Sequence, residues 1–164
     1  MINFFENLSW LTKPPKDFPI RLSEASSWNE LRELSKHALD ESQLNRLSSK
    51  VKRFKSDLVN TDTLTPITIG LVSNSTTNLI SPVLIATALR FGILLKVLEA
   101  EYNQVAQEAF SENSSFKGHQ VDALLVALDH RGVPFLPTPG DKLAAERNVG
   151  DCFSYLTSII DSLR

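Results

Sequence analysis

The chain has 164 residues, about the length of one ordinary domain, and a formal net charge of −2. That near-neutral balance argues against a dedicated nucleic-acid binder, which carries a basic face. One cysteine excludes an internal disulfide framework and a four-cysteine zinc site.

The longest apolar stretch, Ile80 to Leu89, holds Ser81, Pro82 and Thr87 and is too short for a bilayer. Glu6 and Asn7 break the apolar start, and no basic residue precedes Lys13, so no signal peptide is read. A soluble cytoplasmic protein is the expectation.

Residues 1–27 read as short apolar pieces around Lys13-Pro14-Pro15-Lys16 and Pro19, where proline favours extended chain and ends any helix begun at Ile2. Ser26 or Ser27 can then cap a helix with Trp28, Leu31, Leu34 and Ala38 on one face. Asp40 opens another, with Gln43 three residues on as in a capping box, and Leu44, Leu47, Val51 and Phe54 at helical spacing. Lys50, Lys52, Arg53 and Lys55 near its end suit the helix dipole. A solvated face explains them more simply than a recognition patch.

From Pro66 the pattern alternates. Ile67 to Val72, Ile93 to Leu98 and Val121 to Leu128 are strand-like runs. Helices are expected within Thr77 to Phe91, capped by Gly92, and over Tyr102 to Phe110. A proline-rich loop, Val133 to Gly140, leads to a last helix. Its apolar stripe is Val149, Cys152, Phe153, Leu156, Ile159, Ile160 and Leu163. The expected fold is α/β: a three-layer, flavodoxin-like parallel sheet in the order 2-1-3, with right-handed crossovers. The division expected is a helical N-terminal extension over 1–60 and an α/β domain over 61–164. Strand three is then an open apolar edge, to be covered by a second copy, a downstream domain or the proline-rich segment.

In that order strands one and three are neighbours, and ligands bind where the chain leaves their C-terminal ends in opposite directions. Two loops meet there: Ser73-Asn74-Ser75-Thr76-Thr77 and Asp129-His130-Arg131-Gly132. Glu99 to Asn103, including Tyr102, leaves strand two nearby. A serine-rich turn can cradle an anion or hold a nucleophile, and Asp129 and His130 are candidates for acid–base work. The simpler reading is that Ser75, Thr76 and Thr77 cap the helix and that Asp129 pairs with Arg131 or caps the turn. His37 and His119 read as structural, and Cys152 as a buried, inert thiol. No metal-ligand spacing, phosphate-binding glycine loop, dinucleotide fingerprint or G-x-S-x-G elbow occurs.

Ile69-Gly-Leu-Val-Ser-Asn-Ser-Thr, Pro82, Ala88-Leu-Arg-Phe-Gly-Ile, Glu99-Ala-Glu-Tyr-Asn-Gln with Gln107-Glu108, and Val121-Asp-Ala-Leu-Leu-Val-Ala-Leu-Asp together carry a resemblance. This stretch resembles the N-terminal, SGNH-hydrolase-like domain of FkbH-like proteins, subfamily IIIC of the HAD phosphatases. Leu39-Asp-Glu-Ser-Gln-Leu is similar to their helical lead-in. The resemblance implies a downstream HAD domain and an acyl carrier protein as partners. It also implies a role in supplying glyceryl extender units for polyketides, or in surface-polysaccharide pathways. No cofactor is expected here; magnesium belongs to the HAD domain.

The sequence departs from that family at informative places. No Asp-x-Asp phosphotransfer motif occurs. Ser73-Asn74-Ser75 stands where the SGNH superfamily has Gly-Asp-Ser, which puts Ser75 at the nucleophile position. Asp129 stands where an oxyanion-hole Asn is expected, and a carboxylate there repels a developing oxyanion. No late Asp-x-x-His element follows. The expected role is therefore binding and positioning of a HAD domain, a carrier protein or an acyl substrate. Ser73, Asn74, Thr76, Glu99, Tyr102 and Arg131 are the expected contact residues. The alternative is a hydrolase or acyltransferase using Ser75 with Asp129 and His130. A homodimer through the 121–128 edge is a further possibility; neither nucleic acid nor a membrane is expected as a partner.

Overall fold

The computed structural model describes residues 10–57, 63–116, 118–136 and 138–163. Any helix begun at Ile2 lies outside them. The elements in chain order are α1 (Phe18–Glu24), α2 (Trp28–Ser35), α3 (Glu41–Asp57), β1 (Thr65–Ser73), α4 (Ile80–Arg90), β2 (Ile93–Glu99), α5 (Val105–Phe110), β3 (Ala123–Ala127) and α6 (Lys142–Ser162), with a 3-10 turn at His130–Gly132 before α6. The sheet is parallel and three-stranded in the order β2-β1-β3, the order expected from the alternating runs. Among the described residues, no helix is long and apolar enough to cross a membrane.

The chain divides into two compact units, Met1–Ile67 with Asn78–Lys96, and Thr68–Thr77 with Val97–Arg164. The first is helical in character. Ser27 accepts from the Glu30 backbone while the Glu30 carboxylate accepts from the Ser27 backbone, a reciprocal cap that starts α2. Asp40 and Gln43 do the same for α3, at 2.8 and 3.0 Å. Leu44, Leu47, Val51 and Phe54, spaced three and four apart, are all buried. The Phe54 ring meets Trp28 edge-on at 5.0 Å between centroids. α4 packs on both α2 and α3. Arg90 at its end donates to the Ser35 and His37 carbonyls, satisfying backbone groups that the end of α2 leaves open.

Three expectations are corrected in this unit. Phe18–Glu24 is a helix and not extended chain, because Pro19 falls in the first turn, where a missing N–H does no harm. Ala38 lies beyond α2, which ends at Ser35. Lys50 is not simply solvated, since its ammonium donates to the Ser23 carbonyl at 2.9 Å. His37 is tied to Thr12 through a 3.0 Å side-chain contact and a parallel bridge, the structural role read for it.

The second unit is built around Val72, Val105, Ala109 and Ile159, with Phe116, Val126, Leu128, Tyr155 and Leu163 packed against them. Glu108 is buried among these elements and its carboxylate accepts from the Ser114 hydroxyl and from the backbone and hydroxyl of Ser115. Those bonds hold its carboxyl below the usual range against the opposing effect of burial, and they close the 111–116 loop onto α5.

Here too the sequence reading is revised. α5 begins at Val105 and not Tyr102, because Asn103 turns the chain through a left-handed conformation, φ 57°. β3 is limited to Ala123–Ala127. The expected stripe of α6 is only partly covered: Ile159 is buried and Leu156 and Leu163 are half-buried, but Val149, Phe153 and Ile160 are exposed. Cys152 is half-buried and not enclosed.

Leu47 is fully buried, so Leu47→Ala is expected to lower stability by about 2–5 kcal/mol in urea unfolding. Glu108→Ala strands the Ser114 and Ser115 donors, and a loss of about 2 kcal/mol is expected by the same measurement.

Candidate functional site

Parallel pairing places Ser73 opposite Ala127, so β1 and β3 end at the same level. The two loops foreseen as neighbours therefore leave the sheet side by side. The Ser73 hydroxyl donates to the Ala127 carbonyl at 2.9 Å and accepts from the Ser75 backbone at 2.9 Å. One side chain thus fixes both the end of the sheet and the start of the turn.

The next contact joins the loops. The Asn74 amide donates to the Asp129 carboxylate, and its carbonyl oxygen accepts from the Asp129 backbone at 3.0 Å. Asn74 is buried, so both of its polar ends need partners, and Asp129 supplies them. Gly132 lies close against this contact. A Cβ there would stand 2.9 Å from the Leu128 side chain and 3.0 Å from the Asn74 amide.

Asp129 is the hub. Its carboxylate accepts from the Arg131 guanidinium at 2.9 and 2.5 Å and from the Arg131 backbone at 2.9 Å, which caps the 3-10 turn. The Arg131 bonds first, and the Asn74 amide second, hold the Asp129 carboxyl far below the usual carboxylate range. The same contact raises the Arg131 pKa, with a smaller contribution from Tyr102. The Ser75 hydroxyl reaches the Asp129 carboxylate only at 3.5 Å, the long limit of a hydrogen bond.

The third loop joins through Thr77, a buried residue whose hydroxyl donates to the Glu99 carboxylate. The Ala100 backbone donates to the Leu71 carbonyl and that of Asn103 to the Ser73 carbonyl, which draws the chain after β2 onto the end of β1. Ser73, Asn74, Ser75, Glu99 and Asp129 are therefore linked at one rim. Thr76, Tyr102, His130 and Arg131 are exposed, Tyr102 at 64%. No histidine is hydrogen-bonded to Ser75 among the described residues. No group of three metal-ligating side chains gathers there either.

The simpler reading of Ser75 to Thr77 as helix caps is corrected. α4 starts at Ile80 after Leu79, which makes no side-chain cap. The corresponding reading of Asp129 describes real contacts, since it both pairs with Arg131 and caps its own turn. Sequence reasoning reads Thr77 only as a helix cap and gives Gly132 no role. A threonine in a serine-rich turn and a glycine after Arg131 have no distinguishing local pattern. Their importance arises from partners 22 residues and 58 residues away, Glu99 and Asn74.

No family model matches the sequence, and no curated protein matches it. Among solved structures the chain is similar to the N-terminal part of the protein BF1531 from Bacteroides fragilis, a crystal structure containing a phosphatase domain complexed with Mg. The TM-score is 0.52 and the identity 13%, over 84% of this chain and 31% of that one. The likeness is one of fold.

Asp129 has a lowered folded pKa, so its stabilisation is complete above the ordinary Asp value and is lost as pH falls toward the folded value. Asp129→Asn is expected to melt below wild type at pH 6. The gap should start to close below about pH 4 and keep narrowing with further acid, followed by thermal melts across pH.

Proposed function

We propose that this chain is a binding and positioning module of an FkbH-like protein, acting on a HAD domain, an acyl carrier protein or a carrier-bound acyl group. The observation that carries the non-catalytic reading is the state of Asp129. A carboxylate held by Arg131 and Asn74 far below its ordinary pKa is a weak base, and 3.5 Å from Ser75 it offers little activation. Its charge also occupies the place where an oxyanion would need a donor. What the rim offers instead is an ordered platform with Thr76, Tyr102, His130 and Arg131 turned to solvent.

The fold likeness to a chain whose described part contains a phosphatase domain supports the assignment to a module that works beside such a domain. The quoted stretch from Ile69 to Asp129 supports the FkbH-like family, and the missing Asp-x-Asp motif assigns the phosphoryl chemistry to another domain. The glyceryl-carrier pathway is the substrate class that this family reading brings.

Thr76 is exposed, so Thr76→Arg blocks the rim without disturbing the core. Titration calorimetry against a glyceryl-loaded acyl carrier protein and against an FkbH-type HAD domain is expected to show binding to at least one of them. Thr76→Arg should weaken it about tenfold, or 1.4 kcal/mol. Equal binding by wild type and variant, or binding to neither, would overturn the proposal. Wild type is expected to hydrolyse an aryl ester no faster than buffer. A rate abolished by Ser75→Ala would promote the hydrolase reading.

A further inference from the structure

We propose that the groove between α1 and α3 docks an acidic α-helix of a partner protein, whose carboxylates, one turn apart, meet Arg46, Lys50 and Arg53. This goes beyond the module's work at the rim, since every residue involved lies in the first unit. The groove holds about 390 Å³ and is lined by Pro19, Leu22 and Ser23 of α1 and by Arg46, Lys50 and Arg53 of α3. Among the described residues, no carboxylate lines it.

Positive charge is concentrated here. Residues 46–55 hold five of the chain's 17 lysines and arginines and no Asp or Glu, although the whole chain is at −2. The helix dipole does not account for this. It favours cations within about the last turn, and Arg46 and Lys50 stand well before the end of α3 at Asp57. Solvation does not account for Lys50 either. That residue is half-buried, its ammonium donates to the Ser23 carbonyl at 2.9 Å, and it lies 6.0 Å from the centroid of the Phe54 ring. These contacts fix a charge across the groove without neutralising it, and a partly desolvated cation favours an anion beside it. Arg46 is exposed and makes no ion pair among the described residues. A carboxylate arriving at Arg46 therefore displaces no internal acid.

Spacing selects the occupant. Arg46, Lys50 and Arg53 are four and three residues apart, so they share one side of α3 and span about 10 Å along its axis. A single phosphate sits at one level of such a row. A helix with Asp or Glu one turn apart has the same rise, so a carboxylate falls at each level. Pro19 and Leu22 supply apolar surface beside the row for the stems of those side chains.

The probe is a stapled, alanine-based helix with Glu at i, i+4 and i+7, labelled with a fluorophore and titrated with the full chain. Fluorescence anisotropy at low salt is expected to give a Kd of about 100 µM or tighter. Raising the salt to about 0.5 M should weaken it. The same helix with Gln at those positions, or with its three Glu on different faces, should bind at least about tenfold more weakly. Arg46→Glu should weaken the Glu helix about tenfold. Lys52→Glu makes the same charge change on α3 at an exposed residue outside the groove, and should weaken it less than about threefold. Circular dichroism of both variants should remain that of the wild type, since both side chains are exposed. No binding at about 1 mM, equal binding of the Glu and Gln helices, or equal losses in the two variants would overturn the proposal. So would inorganic tripolyphosphate binding more tightly than the Glu helix and depending on Arg46, which would assign the groove to a phosphate ligand.

Discussion

The two-point contact between Asn74 and Asp129 is the interaction on which the rim depends. It joins residues 55 positions apart, and it exists only because β1 and β3 are adjacent, parallel and in a register that ends both strands together. Asn74 has no room for error: it is buried, and an unpaired amide there would carry the full desolvation penalty. Asp129 answers both of its ends and then has a second oxygen left for Arg131 and Ser75. Shifting β3 by one residue would turn Leu124 and Val126 away from the core and separate this pair at once.

The same contact decides the chemistry. A serine at a strand end near a carboxylate suggests a nucleophile and its base. In this structure the carboxylate is already committed to a guanidinium and an amide, and its basicity is spent on holding the turn. Ser75 is left near a fixed negative charge. Thr76, Tyr102, His130 and Arg131 are the exposed groups around it.

Covered and uncovered surfaces divide sharply within this chain. The first unit buries its apolar helix faces well, with Leu31, Leu47, Ala86 and Leu89 fully enclosed. In the second, α6 buries Ile159 but leaves Val149, Phe153 and Ile160 exposed, and on β3 Leu125 is exposed.

Local signals in the sequence determined a good deal. Asp40 and Gln43 mark the start of α3 because a capping box needs only residues three apart. Gly92 marks the end of α4 because the turn there requires a positive φ, 75°. The apolar runs gave three strands, and the helices between them gave the order β2-β1-β3, since right-handed crossovers allow few others. From that order alone the loops at Ser73 and Asp129 could be placed together.

Tertiary structure decided the rest, because it depends on partners that no window of sequence contains. Pro19 begins a helix instead of breaking one, and the chain's turn at Asn103 delays α5. The stripe on α6 has the period of a buried helix, yet period reports which residues share a face and not whether anything covers it. Glu108 is a charged residue that ends up buried because Ser114 and Ser115, six and seven positions on, fold back to satisfy it. Above all, the ionisation of Asp129 was set by Asn74 as well as by Arg131. The arginine is its neighbour in sequence, but the asparagine reaches it only across two paired strands, and a pKa is a property of what surrounds a group in space.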